Sequence, residues 1–470
     1  MLLYFDQSLM NLLRLSIIVL FSLSAVSCAT WYKRTAAFQS AVSAGDFDQA
    51  EKLLNKDKKQ AQGKNKILYY LNQGYVEFML EHPEKSNEAF ETAERLTEDQ
   101  QKNVLTEAAV LVSNPEIRPY KPEDFEVIMI NFYKAMNYLR MNNMEDALVE
   151  VRKINIRLQQ LNDKYPDHKN RYQRDAFAHL LMGLIYDAAG DANNAFIAYR
   201  NAYDTYQSDY LKNFGLGAPE QLKKDLLRTA YQSGMQTELA AYEKEFNLKY
   251  TPVPPSPNGQ LVLFWLNGFG PVKAEWGLTF AKEKRGDGAI VFHNQETGLF
   301  FPFFWNAGYS ESDRNSVANL KIVRVVFPKY EERPPFYQKG TVTYNHTTYP
   351  LEMAEDINQI AFKTLHDRMI RELSNSLLRV AAKQGLQYAA SKENQWLGLA
   401  VGITNAFTEK ADTRNWQTLP YSVSYSRIPL SEEENHIELQ FSNSKGEKNT
   451  QQITIPGNAK NTRFWVYSTL

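Results

Sequence analysis

The hydrophobic and polar residues of this chain follow two different periods, one in each half. From residue 31 to about residue 248, apolar residues recur at helical spacing, and almost no stretch alternates as a strand would. Beyond residue 260, short runs with a period of two are separated by turn-forming residues. The pattern predicts a helical first half followed by a mixed, strand-rich second half.

The first half repeats one unit, a helix that ends at a turn and a second helix with alanine on its packing face. In the stretch 176–206, Gly183 lies in the first helix and Gly190-Asp191 forms the turn. Further turns fall near residues 46, 83, 143 and 235, and an additional helix is predicted at 98–112. The pattern resembles tetratricopeptide repeats, in which small residues let paired helices approach. It predicts an α-solenoid with a groove for a partner; an irregular helical bundle is the alternative.

A proline-rich stretch, YTPVPPSPNGQ at 250–260, separates the two halves. Such a stretch is extended and semi-rigid and does not belong in a core. The predicted division is therefore a leader at 1–27, a helical repeat domain at 28–250, a linker at 251–259 and an α+β domain at 260–470.

Several runs of the second half predict strands. QLVLFWL at 260–266 predicts a buried strand, and GAIVFH, KIVRVVF and TRFWVYS predict others. TVTY and TTYPL predict a hairpin with a tight turn at Asn345-His346, and HIELQF and QQITI predict a second one that turns near Lys445-Gly446. A long helix is predicted from Ala354 to Lys392. The apolar stretch WLGLAVGITNAF at 396–407 favours a buried core helix or a partner surface over contact with a membrane.

A short apolar run precedes Cys28, the only cysteine of the chain. The run after Arg14 is about a dozen residues long, whereas a transmembrane helix needs about 20, so it predicts a secretory signal peptide. LSAVSC at 23–28 resembles the lipobox of bacterial lipoproteins, in which the thiol is acylated. An ordinary buried thiol is the alternative. Because Asp6 suits a signal peptide poorly, either Met1 or Met10 is the start.

An acylated Cys28 predicts an exported protein that is tethered to a membrane. A lone free thiol invites wrong disulfides outside the cytoplasm, and acylation removes that hazard. Stable anchoring needs more than one acyl chain, and a triacylated cysteine meets this condition. Ala29 in place of aspartate implies, by resemblance to enterobacterial lipoproteins, an outer-membrane anchor that faces the periplasm.

Charge and motif content argue against several classes of function. The 54 acidic and 53 basic residues nearly cancel, whereas a nucleic-acid-binding protein should be basic. The hydrophobic content of 43% is ample for packed cores. The seven histidines have no metal-ligand spacing, and no phosphate loop, nucleophile elbow or dinucleotide fingerprint occurs. We therefore expect no nucleic acid, no metal, no cofactor and no enzymatic activity.

Two loop motifs contain the candidate site. NGFGPVKAE at 267–275 follows the first strand of the second half, and EKADTRNWQTLP at 409–420 precedes a later strand. The sequence allows an ion pair between Asp412 and Arg414 that Trp416 covers. A third charged stretch, HDRMIRE at 366–372, predicts a solvated helical face.

Two interpretations of the loop motifs stay open. The first is a fixed loop whose charges are satisfied within the chain. The second is a partner-binding edge, because arginine and tryptophan are enriched at interface hot spots. The candidate residues of that edge are Gly268, Gly270, Pro271, Lys273, Asp412, Thr413, Arg414 and Trp416.

The lipobox, the helical half, GFGPVK and ADTRNWQTLP together resemble a family of bacterial lipoproteins with tetratricopeptide-like N-terminal repeats. The resemblance covers nearly the whole mature chain. It implies no catalytic residues. It also implies that members of the family occur together with lipoproteins that resemble penicillin-binding-protein activators and curli-secretion pore subunits.

The leading functional prediction is an outer-membrane-anchored periplasmic lipoprotein that acts as a protein-binding scaffold in cell-envelope assembly. Its partner would be a periplasmic or outer-membrane protein. The alternative is a factor that binds or remodels peptidoglycan or another carbohydrate. That alternative depends on the aromatic residues of the second half: Trp265, Trp276, Trp305 and Trp416.

Overall fold

The computed structural model describes residues 31–102, 118–164, 174–284, 290–294, 300–303, 322–369, 411–457 and 461–470. The predictions for the leader with Cys28, for the stretches 103–112 and 370–407, and for Trp305 lie outside the described residues. No helix in the described part combines the length and the apolar character that crossing a membrane would need.

The described part of the first half is helical, as the periodicity predicted. The turns near residues 46, 83, 143, 191 and 235 each fall between two helices, which confirms the predicted helix pairs. A 3₁₀ helix covers Lys58–Gln62, and a π-helical turn covers Tyr206–Tyr210. The α-helices are α1 Trp31–Arg34, α2 Ala36–Ser43, α3 Phe47–Lys56, α4 Lys66–Met79, α5 Pro83–Lys102, α6 Asp124–Arg140, α7 Met144–Lys164, α8 Ala176–Ala188, α9 Ala192–Thr205, α10 Leu211–Phe214, α11 Glu220–Gln232 and α12 Gln236–Phe246.

Local signals start and stop these helices. Asp46 begins α3 by accepting a hydrogen bond from the Gln49 N–H at 3.0 Å, and Asp191 begins α9 in the same way. Gly190 ends the turn before α9 with a φ of 79°, a left-handed conformation that glycine adopts without strain.

Glycine also sets the spacing within two helix pairs. A Cβ atom on Gly74 would lie 2.7 Å from the ring of Phe90, and one on Gly183 would lie 2.3 Å from the ring of Tyr199. Both contacts are closer than carbon atoms can approach. These two positions confirm that small residues allow the paired helices to pack closely.

The second half contains most of the predicted strands. The strands are β1 Gln260–Asn267, β2 Val272–Lys284, β3 Ile290–His293, β4 Phe300–Phe303, β5 Ile322–Glu331, β6 Lys339–Tyr344, β7 Thr347–Pro350, β8 Glu352–Asp356, β9 Ser422–Pro429, β10 Glu434–Ser442, β11 Lys448–Pro456 and β12 Thr462–Thr469. One helix, α13, covers residues 357–369 of the described part.

The described strands form three four-stranded sheets, in the orders β12-β1-β9-β8, β11-β10-β6-β7 and β4-β3-β2-β5. Strand β1 pairs in parallel with β12 and antiparallel with β9. The hairpin of β6 and β7 turns at Asn345 and His346, whose φ values are 46° and 62°, as a primed two-residue turn requires. Both predicted hairpins are confirmed.

Two sequence predictions need correction here. Ala354 to Asp356 belong to strand β8 rather than to the long helix, because Glu355 and Asp356 pair with Val423 and Ser422 of β9. Residues 272–275 open the long strand β2 rather than continuing a loop. In both places pairing with a distant strand overrides the local pattern.

One hydrophobic core includes residues of both halves. The ring of Phe264 on β1 lies 5.6 Å from the ring of Phe132 on α6 and 6.1 Å from that of Phe177 on α8. The opposite face of β1 contributes Leu263 and Trp265 to a second core between the sheets. Strand β1 is therefore buried on both faces, which explains its nearly continuous apolar sequence.

Candidate functional site

The groove that the repeat pattern predicted for a partner is occupied by the second half of the same chain. Trp416 of the 411–420 loop lies between α5 and α6, with its ring 5.7 Å from Phe90 and 5.8 Å from Tyr133. Thr418 of this loop contacts Asn72 of α4 at 3.4 Å. Aromatic contacts between helices and sheet therefore fill the space in which an external partner was expected.

The first loop motif is held by a backbone geometry that needs glycine. Gly268 has a φ of 58°, and its N–H donates to the Thr469 carbonyl at 2.7 Å. A Cβ atom on Gly268 would also lie 2.8 Å from the Cβ of Pro335. The Gly270 N–H donates to the Leu419 carbonyl at 2.8 Å, which joins this motif to the 411–420 loop.

Lys273 of β2 belongs to a charge cluster centred on Glu123, which we call the Glu123 cluster: Glu123, Lys273 and Arg368. The Lys273 Nζ lies 2.7 Å from Glu123 Oε1, and both side chains are less than a tenth exposed. Arg368 of α13 donates to both Glu123 oxygens, at 2.6 and 2.9 Å. In the stretch 366–372, which was predicted to be a solvated face, His366 is exposed and residues 367–369 are partly exposed, whereas residues 370–372 lie outside the described residues.

The charges of the Glu123 cluster are stabilised by one another. Burial alone would raise the pKa of Glu123, but the Arg368 and Lys273 cations outweigh it and hold this pKa well below its usual range. Burial would lower the pKa of Lys273, and the Glu123 carboxylate instead raises it above its usual value. The cluster therefore stays ionised although it is enclosed.

The same end of α6 also recognises the backbone of the 411–420 loop. Glu123 and Glu126 form a capping box at the start of α6, and Glu126 Oε1 accepts the Trp416 N–H at 2.7 Å. The Tyr120 hydroxyl donates to the other Glu126 oxygen. Burial, and then the neighbouring Glu123 carboxylate, raise the pKa of Glu126.

The ion pair predicted within the second motif is present. Arg414 donates to the two Asp412 oxygens, from Nε at 2.8 Å and from Nη2 at 2.6 Å. Its Nη1 donates to Asn65 Oδ1 at 3.0 Å and to the Arg118 carbonyl at 2.9 Å. Tyr120, rather than Trp416, covers the ion pair: the Arg414 Cζ lies 5.8 Å from the centre of the Tyr120 ring.

The positions of the eight candidate residues correct the prediction of a partner-binding edge. All of them except the half-buried Asp412 are buried. Thr413 Oγ1 accepts the Trp31 N–H at 2.9 Å, and Asn415 donates to the Pro271 carbonyl at 2.8 Å. These residues bind the chain's own helices and loops, as the fixed-loop interpretation expected, and they are closed to an external partner.

A second buried charge cluster joins the two halves and was not predicted from the sequence. This Asp187 cluster consists of Asp187, Asp225, Arg228 and Arg427. The Arg427 Nη1 lies 2.8 Å from Asp187 Oδ2, and Arg228 Nη1 donates to Asp187 Oδ1 at 2.9 Å. Asp225 Oδ1 lies 3.1 Å from Arg228 and 3.3 Å from Arg427. The only signal in the sequence was an arginine inside a strand-forming run, which requires a partner if the strand is buried.

A third buried polar contact joins strand β8 to the helices. The Tyr210 hydroxyl lies 3.4 Å from Glu355 Oε1 and 3.2 Å from Asp175 Oδ1. Glu355 is 2% exposed. Burial, and then the Asp175 carboxylate, raise the pKa of Glu355 well above its usual value.

A cleft of about 450 Å³ lies beside the Asp187 cluster, between α11, the segment 248–253 and the ends of strands from two sheets. Its lining includes Lys224, Leu227, Arg228, Tyr250, Tyr349 and Arg427. At its rim, Leu248 is 40% exposed and Val253 is 77% exposed. This cleft is the candidate functional site, since both halves contribute to it and apolar side chains reach solvent there.

The chemistry of the cleft suits binding. The guanidinium groups of Arg228 and Arg427 already face the carboxylates of Asp187 and Asp225. Within the described ranges, no three histidine, cysteine, aspartate or glutamate residues are grouped as metal ligands would be. The cleft therefore offers an apolar rim over a floor of paired charges.

Comparison with known proteins gives no family. No protein-family model matches the chain, and no curated protein matches it. Among solved structures, the chain is similar to the crystal structure of MamA at 16% identity, over 44% of this chain and 91% of the MamA chain, with a TM-score of 0.29. It is similar to BtubC from P. vanneervenii at 17% identity, over 53% of this chain and 91% of that chain, with a TM-score of 0.32. It is similar to the apo form of RapI at 11% identity, over 44% of this chain and 65% of that chain, with a TM-score of 0.30. At these TM-scores the likeness has no bearing on function.

Proposed function

We propose that this chain is a lipoprotein of the bacterial envelope that binds a protein partner. In this proposal Cys28 is acylated, and the chain faces the periplasm from the outer membrane as a scaffold in envelope assembly. The lipobox-like stretch before Cys28 supports the anchor. The near-neutral charge and the lack of a catalytic motif in the sequence support a binding role.

The observation that carries the proposal is the cleft between the two halves. The buried face of the helices is occupied by the chain's own sheet, so a partner has to use an outer surface. Contiguous exposed apolar patches mark interaction sites on proteins, and we assign this role to Leu248 and Val253, which are exposed in the lining of the cleft. The partner of this proposal is an extended apolar segment of an envelope protein.

The carbohydrate alternative has lost much of its support. Trp265 is 2% exposed and Trp416 is 1% exposed, so neither ring can stack on a sugar. Trp276 packs against Phe327 at 5.2 Å. No observation favours this alternative over a protein partner.

Site-specific photo-crosslinking in cells tests the proposal. A photoreactive residue at Val253 should yield a discrete protein adduct, whereas one at Gln451, which is exposed on β11, should not. Leu248→Asp should abolish the Val253 adduct, because a charge replaces an apolar contact at the rim. Fractionation of wild type and of Cys28→Ser should show membrane and soluble forms, respectively.

The docking site and the lipid anchor are tested separately. An equal yield of adducts from Val253 and Gln451 would reject the cleft as a docking site. Unchanged fatty-acid labelling and membrane fractionation of Cys28→Ser would reject the anchor. Adducts with peptidoglycan instead of protein would favour the carbohydrate alternative.

A further inference from the structure

The described part of the chain begins three residues after the proposed anchor. Trp31 is 5% exposed, and its N–H donates to Thr413 Oγ1 at 2.9 Å. The Thr35 hydroxyl donates to Gln417 Oε1 at 3.2 Å. Helix α1 is therefore attached to the 411–420 loop, and only two residues separate Trp31 from Cys28.

This spacing limits how far the protein can lie from a membrane. Three residue steps span at most about 11 Å when fully extended. The polar layer on each side of the hydrocarbon core is itself about 5–8 Å thick, from the total and hydrocarbon thicknesses of a bilayer. An acylated Cys28 at that boundary would bring the surface around α1 into contact with the headgroups.

The surface around α1 has the side chains that a bilayer interface accepts. Tyr32 is 37% exposed, and Phe336 in the neighbouring 332–338 loop is 59% exposed. Arg333 lies three residues before Phe336 in this loop, and its guanidinium lies 5.9 Å from the Tyr32 ring and 5.0 Å from the ring of the buried Phe269. Arg333 also donates to the Gly270 carbonyl at 2.7 Å, which fixes the loop to the body of the protein.

We propose that Tyr32 and Phe336 form a membrane-contact patch that sits in the headgroup layer of the bilayer holding Cys28. The proposal rests on the acylation of Cys28 and adds an orientation to it. Aromatic side chains are favoured at the membrane–water interface, where a ring leaves water while a polar tip such as the Tyr32 hydroxyl stays hydrated. The chain would then be seated on the membrane rather than suspended from a flexible tether.

Fluorescent labelling of the acylated, full-length protein in vesicles tests this orientation. Cys28 is the only native cysteine, and its thiol is blocked once it is acylated, so a maleimide dye reacts only at an introduced cysteine. Phe336→Cys and Pro334→Cys place the dye in the patch, and the second variant keeps the Phe336 ring. Thr237→Cys places it on α12, the last helix of the first half, at an exposed position.

The vesicles contain phosphatidylethanolamine and phosphatidylglycerol, with some lipids spin-labelled near the headgroup. We expect a dye at position 334 or 336 to show blue-shifted emission, and to be quenched several-fold more strongly by these lipids than a dye at position 237. Mass spectrometry of the same samples reports acylation of Cys28. Acylated protein whose dye stays in a water-like environment at 334 and 336 would overturn the patch. An unacylated Cys28 would instead overturn the proposed anchor, so the two failures are distinguishable.

Discussion

Replacing Lys273 with methionine tests whether the Glu123 cluster holds the two halves together. The substitution keeps an unbranched apolar stem and removes the ammonium group that lies 2.7 Å from Glu123 Oε1. Removing one partner of a buried ion pair destabilises a protein by about 3–5 kcal/mol, because the other charge is left uncompensated. Since Arg368 still contacts Glu123, we expect the lower end, about 3 kcal/mol.

A double-mutant cycle separates the ion pair from other effects of the substitution. Glu123→Gln leaves the buried Lys273 without a carboxylate and should also destabilise by about 3–5 kcal/mol. The double variant should be more stable than the sum of the single effects predicts, by at least about 1 kcal/mol. Lys329→Met is the matched control: its pair with Glu331 is 41% and 51% exposed, and it should change stability by less than about 1 kcal/mol.

Urea unfolding followed by circular dichroism and by tryptophan fluorescence measures these free energies. Circular dichroism reports mainly on the helices, and the fluorescence includes Trp416 at the contact between the halves. The loss of stability caused by Lys273→Met should become smaller in acid. Because the pKa of Glu123 is lowered in the folded protein, its ionised carboxylate contributes fully to the free energy of unfolding above about pH 4.5, and this contribution is lost as the pH falls. Strictly additive single effects, or a cost no larger than that of Lys329→Met, would refute the reasoning.

Two further predictions concern stability. Because the pKa of Glu355 is raised in the folded protein, the protonated side chain contributes fully to stability below about pH 4.5, and this contribution is lost as the pH rises. Glu355→Gln should therefore be more stable than wild type at mildly alkaline pH, with the gap closing in acid; thermal unfolding across pH checks this, and a gap independent of pH would contradict it. Gly183→Ala should destabilise by about 1–3 kcal/mol, because its Cβ would lie 2.3 Å from the Tyr199 ring. Gly217→Ala, with no atom within 4 Å of its Cβ, is the control, and equal melting temperatures of the two variants would disprove the packing argument.

Local order was largely predictable from the sequence, because nearby residues determine it. Asp46 and Asp191 cap helices through bonds to residues three positions ahead. The turn at Asn345 and His346 joins strands that are adjacent in sequence. Ala354–Asp356 are an exception, because helical spacing and strand pairing compete there and pairing with β9 decides the outcome.

The candidate site was predictable only in part. Asp412 and Arg414 are two residues apart, so their ion pair could be anticipated. Glu123 and Lys273 are 150 positions apart, and no local pattern indicates that they meet. The cleft was missed for the same reason, since its lining residues come from α11, the segment after α12 and strands of two sheets.

The helix pairs, the hairpins and the position of the proposed anchor could be predicted from the sequence, because periodicity, turn residues and a lone cysteine are local properties. What the helical groove contains depends instead on contacts between distant parts of the chain. Burying Phe264 and Trp416 among the aromatic rings of the helices removes apolar surface from water, and the Glu123 and Asp187 clusters neutralise the charges enclosed with them. These contacts join residues that are far apart in the chain, which is why the motifs predicted to bind a partner bind the chain itself.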